Sequence, residues 1–233
     1  MTDLDALRRA ALVGVALAVV VGIAATPMYM AAFGWDLESA TFVRPEAALE
    51  QGPGAAALWR WGFGGDMLFS YLLLTPLALF LHRHLRERRP WLADMGLIGA
   101  LSYVLIGGAS AAILAHAGGS LIEAYHAAAP GDQTAILSSF HLLRDAFVFG
   151  VWQTLDGLTA GAWLLSTGLL FLVERPLLGR LLVMLGLWAW TFVAVATIAG
   201  IHSLVLLGGG LAVALAIWIV WFAIGRRRVV PRA

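Results

Sequence analysis

Neither cysteine nor lysine occurs in this chain of 233 residues. Because cysteine is absent, the chain has no disulfide, no thiolate nucleophile, no cysteine-ligated iron–sulfur cluster and no covalently attached haem. Because lysine is absent, it has neither a Schiff-base amine for retinal or pyridoxal phosphate nor a P-loop lysine for nucleotides. These absences exclude rhodopsin-like proteins and nucleotide-driven proteins of the P-loop class.

Charged residues are also scarce, at 12% of the chain against 61% apolar residues. A soluble globule of this composition would have too few polar side chains to cover its surface. We therefore expect an integral membrane protein in which residues 1–233 form a single transmembrane domain. The net charge of +1 offers no basic patch for nucleic acid, so membrane lipid is the expected surrounding partner.

Six apolar stretches are long enough to cross about 30 Å of hydrocarbon as helices. They predict an all-α, polytopic membrane helix bundle with six transmembrane helices. Asp3 and Asp5 argue against a cleaved signal peptide, so the first stretch is interpreted as an uncleaved anchor. The stretches run over about residues 10–33, 61–81, 95–116, 146–173, 181–200 and 204–224.

The arginines are distributed unevenly between the two sides of these stretches. All except Arg44, Arg60 and Arg144 lie before the first stretch, between the second and third, between the fourth and fifth, or after the sixth. Positive residues concentrate on the cytoplasmic side of membrane proteins, so the pattern predicts that both termini are cytoplasmic. His82 and His84 fall in one of these basic links, where contacts with lipid headgroups are expected.

Two long links lie on the predicted external side, at about residues 34–60 and 117–144. In the second link, Gly118 and Gly119 are expected to break the third helix, and the segment Ser120–Glu123 matches a capping box that opens a new one. Within the second apolar stretch, Pro76 is expected to distort the helix near its middle.

Polar residues that can bind ligands or take part in reactions gather toward the external side. A rise of 1.5 Å per residue places Asp156 about 26 Å and Asp66 about 22 Å above the cytoplasmic ends of their helices. Other polar side chains fall near the same border or above it. The candidate cavity or binding residues are Arg60, Asp66, His116, His141, Arg144, Asp145, Gln153, Asp156 and His202.

Asp156 is the strongest of these candidates, because its own helix offers no cation within one turn. An ionised carboxylate inside a span costs about 2.5–3.5 kcal/mol on insertion scales unless a partner or water faces it. Gln153, three residues earlier, would share the same face and extend a polar network. The expected partner of Asp156 lies on another helix, and the candidates are Arg60, His116, Arg144 and His202.

The matched depths of the two carboxylates predict a common site. We expect Asp66 and Asp156 to line one external-side cavity, because leaving either carboxylate in lipid is costly. The mouth of that cavity is expected to carry His141, His116 or His202.

The chain also resembles a known family. The run from Arg60 to Asp66, with the basic segment His82–Arg86 after its apolar helix, resembles the second helix of the DUF4386 family of six-span bacterial membrane proteins of unknown function. The segment Phe140–Gly150, followed by Gly161 and the pair Arg175–Pro176, is similar to the fourth helix and following link of that family. The resemblance implies a six-helix fold in a bacterial inner membrane and carries no established reaction.

Three classes of function fit these residues. The favoured one is binding of an amphipathic small molecule or lipid in the external-side cavity, or a role as an accessory subunit of a membrane complex. The alternatives are a membrane-embedded acid–base or metal-dependent enzyme acting on a lipid-like substrate, and a proton-coupled transporter. No His-x-x-x-His or Glu-x-x-His pair occurs inside a span, so no metal site is predicted, and the sequence leaves the cofactor unknown. The cytoplasmic halves of the spans lack an ionisable residue to continue a path, which argues against the transporter.

Overall fold

The computed structural model describes residues 3–40, 42 and 44–199, and this part of the chain is all-helical. Five of its helices are long and apolar enough to cross a membrane, which is consistent with an integral membrane protein. The sixth predicted helix, the C-terminus and His202 lie outside the described residues. The five helices are α1 (Asp3–Ala32), α2 (Ala55–Leu85), α3 (Pro90–Ala127), α4 (Pro130–Glu174) and α5 (Pro176–Ala199).

The links between successive helices lie at two ends of the bundle, which we call the loop end and the arginine-rich end. The loop end contains the link between α1 and α2, with short helices at Leu37–Ala40 and Ala47–Glu50, and the turn between α3 and α4. The arginine-rich end contains the link between α2 and α3 and the link between α4 and α5. Arg88 forms an ion pair with Glu174 there, so these two links lie side by side.

The segment 117–144, expected to be a long external loop, is almost entirely helical. Only Ala128 and Ala129 separate α3 from α4, and both have extended backbone. Pro130 begins α4, and a residue before proline is disfavoured in the helical region, which explains the sharp turn at this point.

The predicted break at Gly118 and Gly119 is absent, because α3 continues through both glycines. Their small size serves packing instead. A β-carbon on Gly118 would lie 2.3 Å from Nε1 of Trp59, and one on Gly119 would lie 2.7 Å from Nε of Arg60. The predicted capping role of Glu123 is also wrong: its carboxylate pairs with Arg60 of α2.

Three of the helices depart from α-helical geometry toward the loop end. The π-helical stretches are Met67–Tyr71 in α2, Leu114–Gly118 in α3 and Arg144–Asp156 in α4. In α2 the π-helical stretch is followed by a short 3₁₀ stretch, Leu72–Leu74, which ends two residues before Pro76. Proline has no N–H for the carbonyl four residues earlier, so the expected distortion lies on its N-terminal side. Widened helical turns of this kind occur frequently at functional sites.

Glycines bring the helices into close contact. A β-carbon on Gly14 of α1 would lie 2.6 Å from the carbonyl oxygen of Leu73, and one on Gly161 of α4 would lie 2.3 Å from the indole of Trp190 in α5. Close approach at small residues is how helices associate where lipid provides no hydrophobic driving force. The described helices therefore form one tightly packed bundle.

Candidate functional site

Asp156 is a buried carboxyl group held by a hydrogen bond at only one of its two oxygens. Its side chain lies at the end of the π-helical stretch of α4 and is 7% exposed. The hydroxyl of Tyr71 in α2 donates to Oδ2 at 2.9 Å. Oδ1 has no hydrogen-bond partner among the residues that the structure describes. Such an orphaned acceptor is unusual inside a packed bundle, where most buried polar groups are paired.

The position of Tyr71 follows from the backbone of α2 and from a glycine on α3. Tyr71 ends the π-helical stretch and leaves the helical region, with φ −128° and ψ −77°. Its ring fills the space above Gly107, where a β-carbon would lie only 1.9 Å from Cε1. Glycine at position 107 therefore allows the phenol to reach across to Asp156.

Tyr103 of α3 adds a second phenol to this network. Its ring centroid lies 4.9 Å from that of Tyr71, with the two ring planes tilted by 41°. Both tyrosines are 5% exposed. Sequence reasoning missed them, because tyrosine counts as apolar in a hydropathy profile although its buried hydroxyl requires a partner.

Asp66 lies in the same electrostatic environment as Asp156. It directly precedes the π-helical stretch of α2, is half-buried, and accepts a 2.6 Å hydrogen bond from Oγ of Ser70. Its charge interacts with Asp156, Tyr71 and Tyr103. Neither carboxyl group forms an ion pair with a residue in the described ranges. The single cavity expected to join the two carboxylates remains a prediction.

Aromatic rings pack on the loop-end side of the two carboxyl groups. Trp152, one turn before Asp156, stacks on Phe63 with ring centroids 5.6 Å apart and donates from Nε1 to the carbonyl oxygen of Gly107 at 3.2 Å. Gln153 is also buried, at 4% exposure. The remaining rings of this aromatic cluster belong to Tyr29, Phe33, Phe42, Trp59 and Phe140.

The basic candidates from the sequence have other partners in the structure. Arg60 forms two hydrogen bonds with Glu123, at 2.6 and 2.7 Å, and Arg144 contacts its neighbour Asp145 at 2.7 Å. His141 lies 3.4 Å from the carboxylate of Glu46. The expectation that Arg60 or Arg144 pairs with Asp156 is therefore wrong, and Tyr71 takes that place.

His116 does not reach the buried carboxyl groups either. It lies in the π-helical stretch of α3, its side chain is exposed, and its carbonyl oxygen accepts a hydrogen bond from Ser120. Within the described ranges, no group of three or more acidic, histidine or cysteine side chains could hold a metal ion. The site near Asp156 is thus built from carboxyl, phenol and amide groups and aromatic rings.

Two histidines at the arginine-rich end take part in ion pairs between helices. Nε2 of His82 lies 2.8 Å from Oδ1 of Asp94, and Nε2 of His84 lies 3.7 Å from Oε2 of Glu174. Both histidines therefore have partners within the bundle, and their expected contacts with lipid headgroups stay a prediction. The sequence offered one signal for the pairing of His82 with Asp94. The two residues lie at similar distances from the short link between α2 and α3, which brings them to the same level of the bundle.

A small cavity lies beside His82. Its volume is about 10 Å³, near the lower limit for a single water molecule. Polar groups at the cavity come from His82, Trp163 and Thr167. His82 directly follows the second predicted span, which ends at residue 81, so the sequence-based argument against transport stays a prediction. The apolar lining residues are Ala78, Leu81, Leu85, Ala93, Gly96, Leu97 and Leu170.

Comparisons with known proteins give no relative to guide the interpretation. No protein-family model, no curated protein and no solved structure matches the chain. The resemblance to the DUF4386 family stays a prediction, and the function must be argued from the site itself.

Proposed function

We propose that this chain is an integral membrane protein that binds an amphipathic organic cation at Asp156 in exchange for a proton. The observation that carries the proposal is the carboxyl group of Asp156, which is buried and receives one hydrogen bond from Tyr71. Its second oxygen has no partner in the part of the chain that the structure describes. A carboxylate at such a place is costly unless a positive charge neutralises it. A proton and a cationic ligand are alternative ways of supplying that charge.

The surroundings favour a cation with an apolar body over an anion or a sugar. Asp66 adds a second carboxyl group, and no described arginine or histidine pairs with either one. The tyrosine rings beside Asp156 and the indole of Trp152 present aromatic surfaces, which attract organic cations through the ring quadrupole. The apolar helix surfaces suit the remainder of an amphipathic molecule.

The membrane orientation belongs to the same proposal. We place the arginine-rich end in the cytoplasm of a bacterium and the loop end outside the inner membrane, with residues 204–224 as a sixth helix. The arginine distribution supports this arrangement through the positive-inside rule. In this orientation Asp66 and Asp156 lie nearer to the external side.

Equilibrium binding of labelled tetraphenylphosphonium to the purified protein in maltoside detergent tests the proposal. We expect Asp156→Asn to weaken binding about tenfold or more, because the neutral amide cannot balance the charge of the ligand. Asp132→Asn is the matched control, since Asp132 is an exposed residue on the same helix and forms no described ion pair. Undiminished binding to a folded D156N variant, or no saturable binding to the unaltered protein, would overturn the proposal.

A further inference from the structure

We infer that Asp156 exchanges its proton with the arginine-rich end of the bundle through a passage that the side chain of Trp163 closes. This inference rests on the proposed function and extends it: binding of the cation becomes one step of proton-coupled transport. The geometry that carries it is a buried file of neighbouring side chains that runs from Asp156 through Tyr71, Tyr103 and Trp163 to the His82 cavity.

One wall of this file is a single face of α4. Asp156, Ala160, Trp163 and Thr167 follow at intervals of four, three and four residues, which is the spacing of one helical face. All four are buried. At 1.5 Å per residue, Thr167 lies about 16 Å along the axis from Asp156, roughly half of the hydrocarbon thickness.

The opposite wall is formed by the two phenols. Tyr71 donates to Asp156, and Tyr103 lies next to Tyr71 at 4.9 Å between ring centroids. The ring of Tyr103 in turn lies 6.0 Å from that of Trp163. The hydroxyl groups of tyrosine both accept and donate hydrogen bonds, so they can pass a proton from one neighbour to the next.

Trp163 separates this pair of phenols from the cavity. An indole N–H donates a hydrogen bond but cannot accept one, so the side chain interrupts a proton path while it stays in place. A β-carbon on Gly99 would lie 2.8 Å from the backbone nitrogen of Trp163, so α3 and α4 approach each other closely at this residue. A change of rotamer at this one side chain would join the pair of phenols to the His82 cavity.

Beyond Trp163, the cavity leads to ionisable groups that contact water. His82 lines the cavity and is 14% exposed, whereas its partner Asp94 is 45% exposed. The charged group that faces His82 is Asp94, and Arg86 contacts the same carboxylate of Asp94. An imidazole ring carries two nitrogens, one that can accept and one that can donate a proton, which makes His82 a suitable last carrier.

Charge is conserved in the exchange. The cation approaches the carboxylate of Asp156 as the proton leaves its oxygen, so one positive charge replaces another. The proton passes along the hydroxyl groups of Tyr71 and Tyr103 to the His82 cavity once Trp163 has moved. A ring nitrogen of His82 accepts it there and releases it to bulk water beside Asp94. The site then holds the cation without any net change in charge.

The proton permeability of liposomes that contain the protein tests whether Trp163 closes the passage. We expect Trp163→Ala to raise valinomycin-driven proton entry several-fold, and the double variant W163A/D156N to return it to the unaltered level. Trp188→Ala is the matched control, because Trp188 is 51% exposed on α5. A W163A leak equal to that of W188A, or one that persists in W163A/D156N, would contradict the inference.

A second, near-isosteric variant tests the passage even if W163A fails to fold. Thr167→Val should slow tetraphenylphosphonium-dependent proton movement in otherwise unaltered protein while leaving tetraphenylphosphonium binding unchanged. Normal binding without any proton movement in the unaltered protein overturns the passage and leaves the proposed binding function standing. Absent binding together with a D156N-sensitive leak in W163A overturns the proposed ligand and leaves the passage standing.

Discussion

The hydroxyl of Tyr71 donates a 2.9 Å hydrogen bond to Asp156, although the two residues are 85 positions apart in the chain. Each of them ends a π-helical stretch, one in α2 and the other in α4. The contact therefore joins the two distorted segments of the bundle at the buried carboxyl group. Because Oδ1 has no partner within residues 3–40, 42 and 44–199, this hydrogen bond orients the carboxyl group and leaves one of its oxygens unpaired there.

Removing the phenol hydroxyl should weaken ligand binding more than it weakens the fold. Tyr71→Phe deletes a hydrogen bond to an ionisable group, worth about 1.5 kcal/mol, and should reduce the affinity for tetraphenylphosphonium about tenfold. Equilibrium binding checks this, with Tyr125→Phe near the loop end as the control. An unchanged affinity in Y71F would show that the hydroxyl does not support the bound state.

Adding one methyl group at Gly107 should displace the ring of Tyr71. A β-carbon there would meet Cε1 at 1.9 Å, and overpacking of this kind costs about 1–3 kcal/mol. Gly107→Ala should therefore lower both thermal stability in detergent and affinity for tetraphenylphosphonium. Gly64→Ala, with no neighbour within 4 Å of the added carbon, should change neither. If G107A and G64A had the same thermal stability and the same affinity, the ring of Tyr71 would not lie against Gly107.

The ion pair between Arg60 and Glu123 should couple α2 to α3 weakly. The two side chains are 35% and 55% exposed, so water and salt screen their attraction. Arg60→Glu should lower the thermal midpoint slightly, and the charge-swapped variant R60E/E123R should recover part of the loss at low salt. No recovery in the swapped variant at low salt would show that the two side chains do not interact in the membrane.

The natural absence of cysteine makes the orientation directly testable. Gly131→Cys at the loop end and Glu87→Cys at the arginine-rich end each introduce a single thiol at an exposed position. A membrane-impermeant maleimide added to intact spheroplasts should label G131C, and should label E87C only after permeabilisation. Labelling of E87C from outside would reverse the proposed topology.

The helices could be predicted from hydropathy because a span needs a long apolar run. Pro76 likewise indicated where α2 departs from regular geometry, since its missing N–H acts on the preceding turn. The helical segment 117–144 was missed because Gly118 and Gly119 are normally helix breakers, whereas here they make room for Trp59 and Arg60.

The composition of the site could be predicted only in part. Asp156 and Asp66 were recognisable because carboxylates are rare inside spans, and their expected depth did not depend on the fold. The partner of Asp156 was not predictable, because Tyr71 reaches it only through the widened turn of α2 and the space above Gly107. Pairings between helices, such as that of His82 with Asp94, depend on helix rotation, which hydropathy does not report.

Proton release on ligand binding tests the exchange at Asp156 most directly. Purified protein in weakly buffered detergent solution is mixed with tetraphenylphosphonium, and a pH-sensitive dye reports the protons that appear. We expect about one proton per bound cation, because a single positive charge replaces another at a buried carboxyl group. Asp132→Asn should leave this ratio unchanged, and Asp156→Asn should abolish the release. Saturable binding of the cation with no proton released, or full release in D156N, would contradict the exchange.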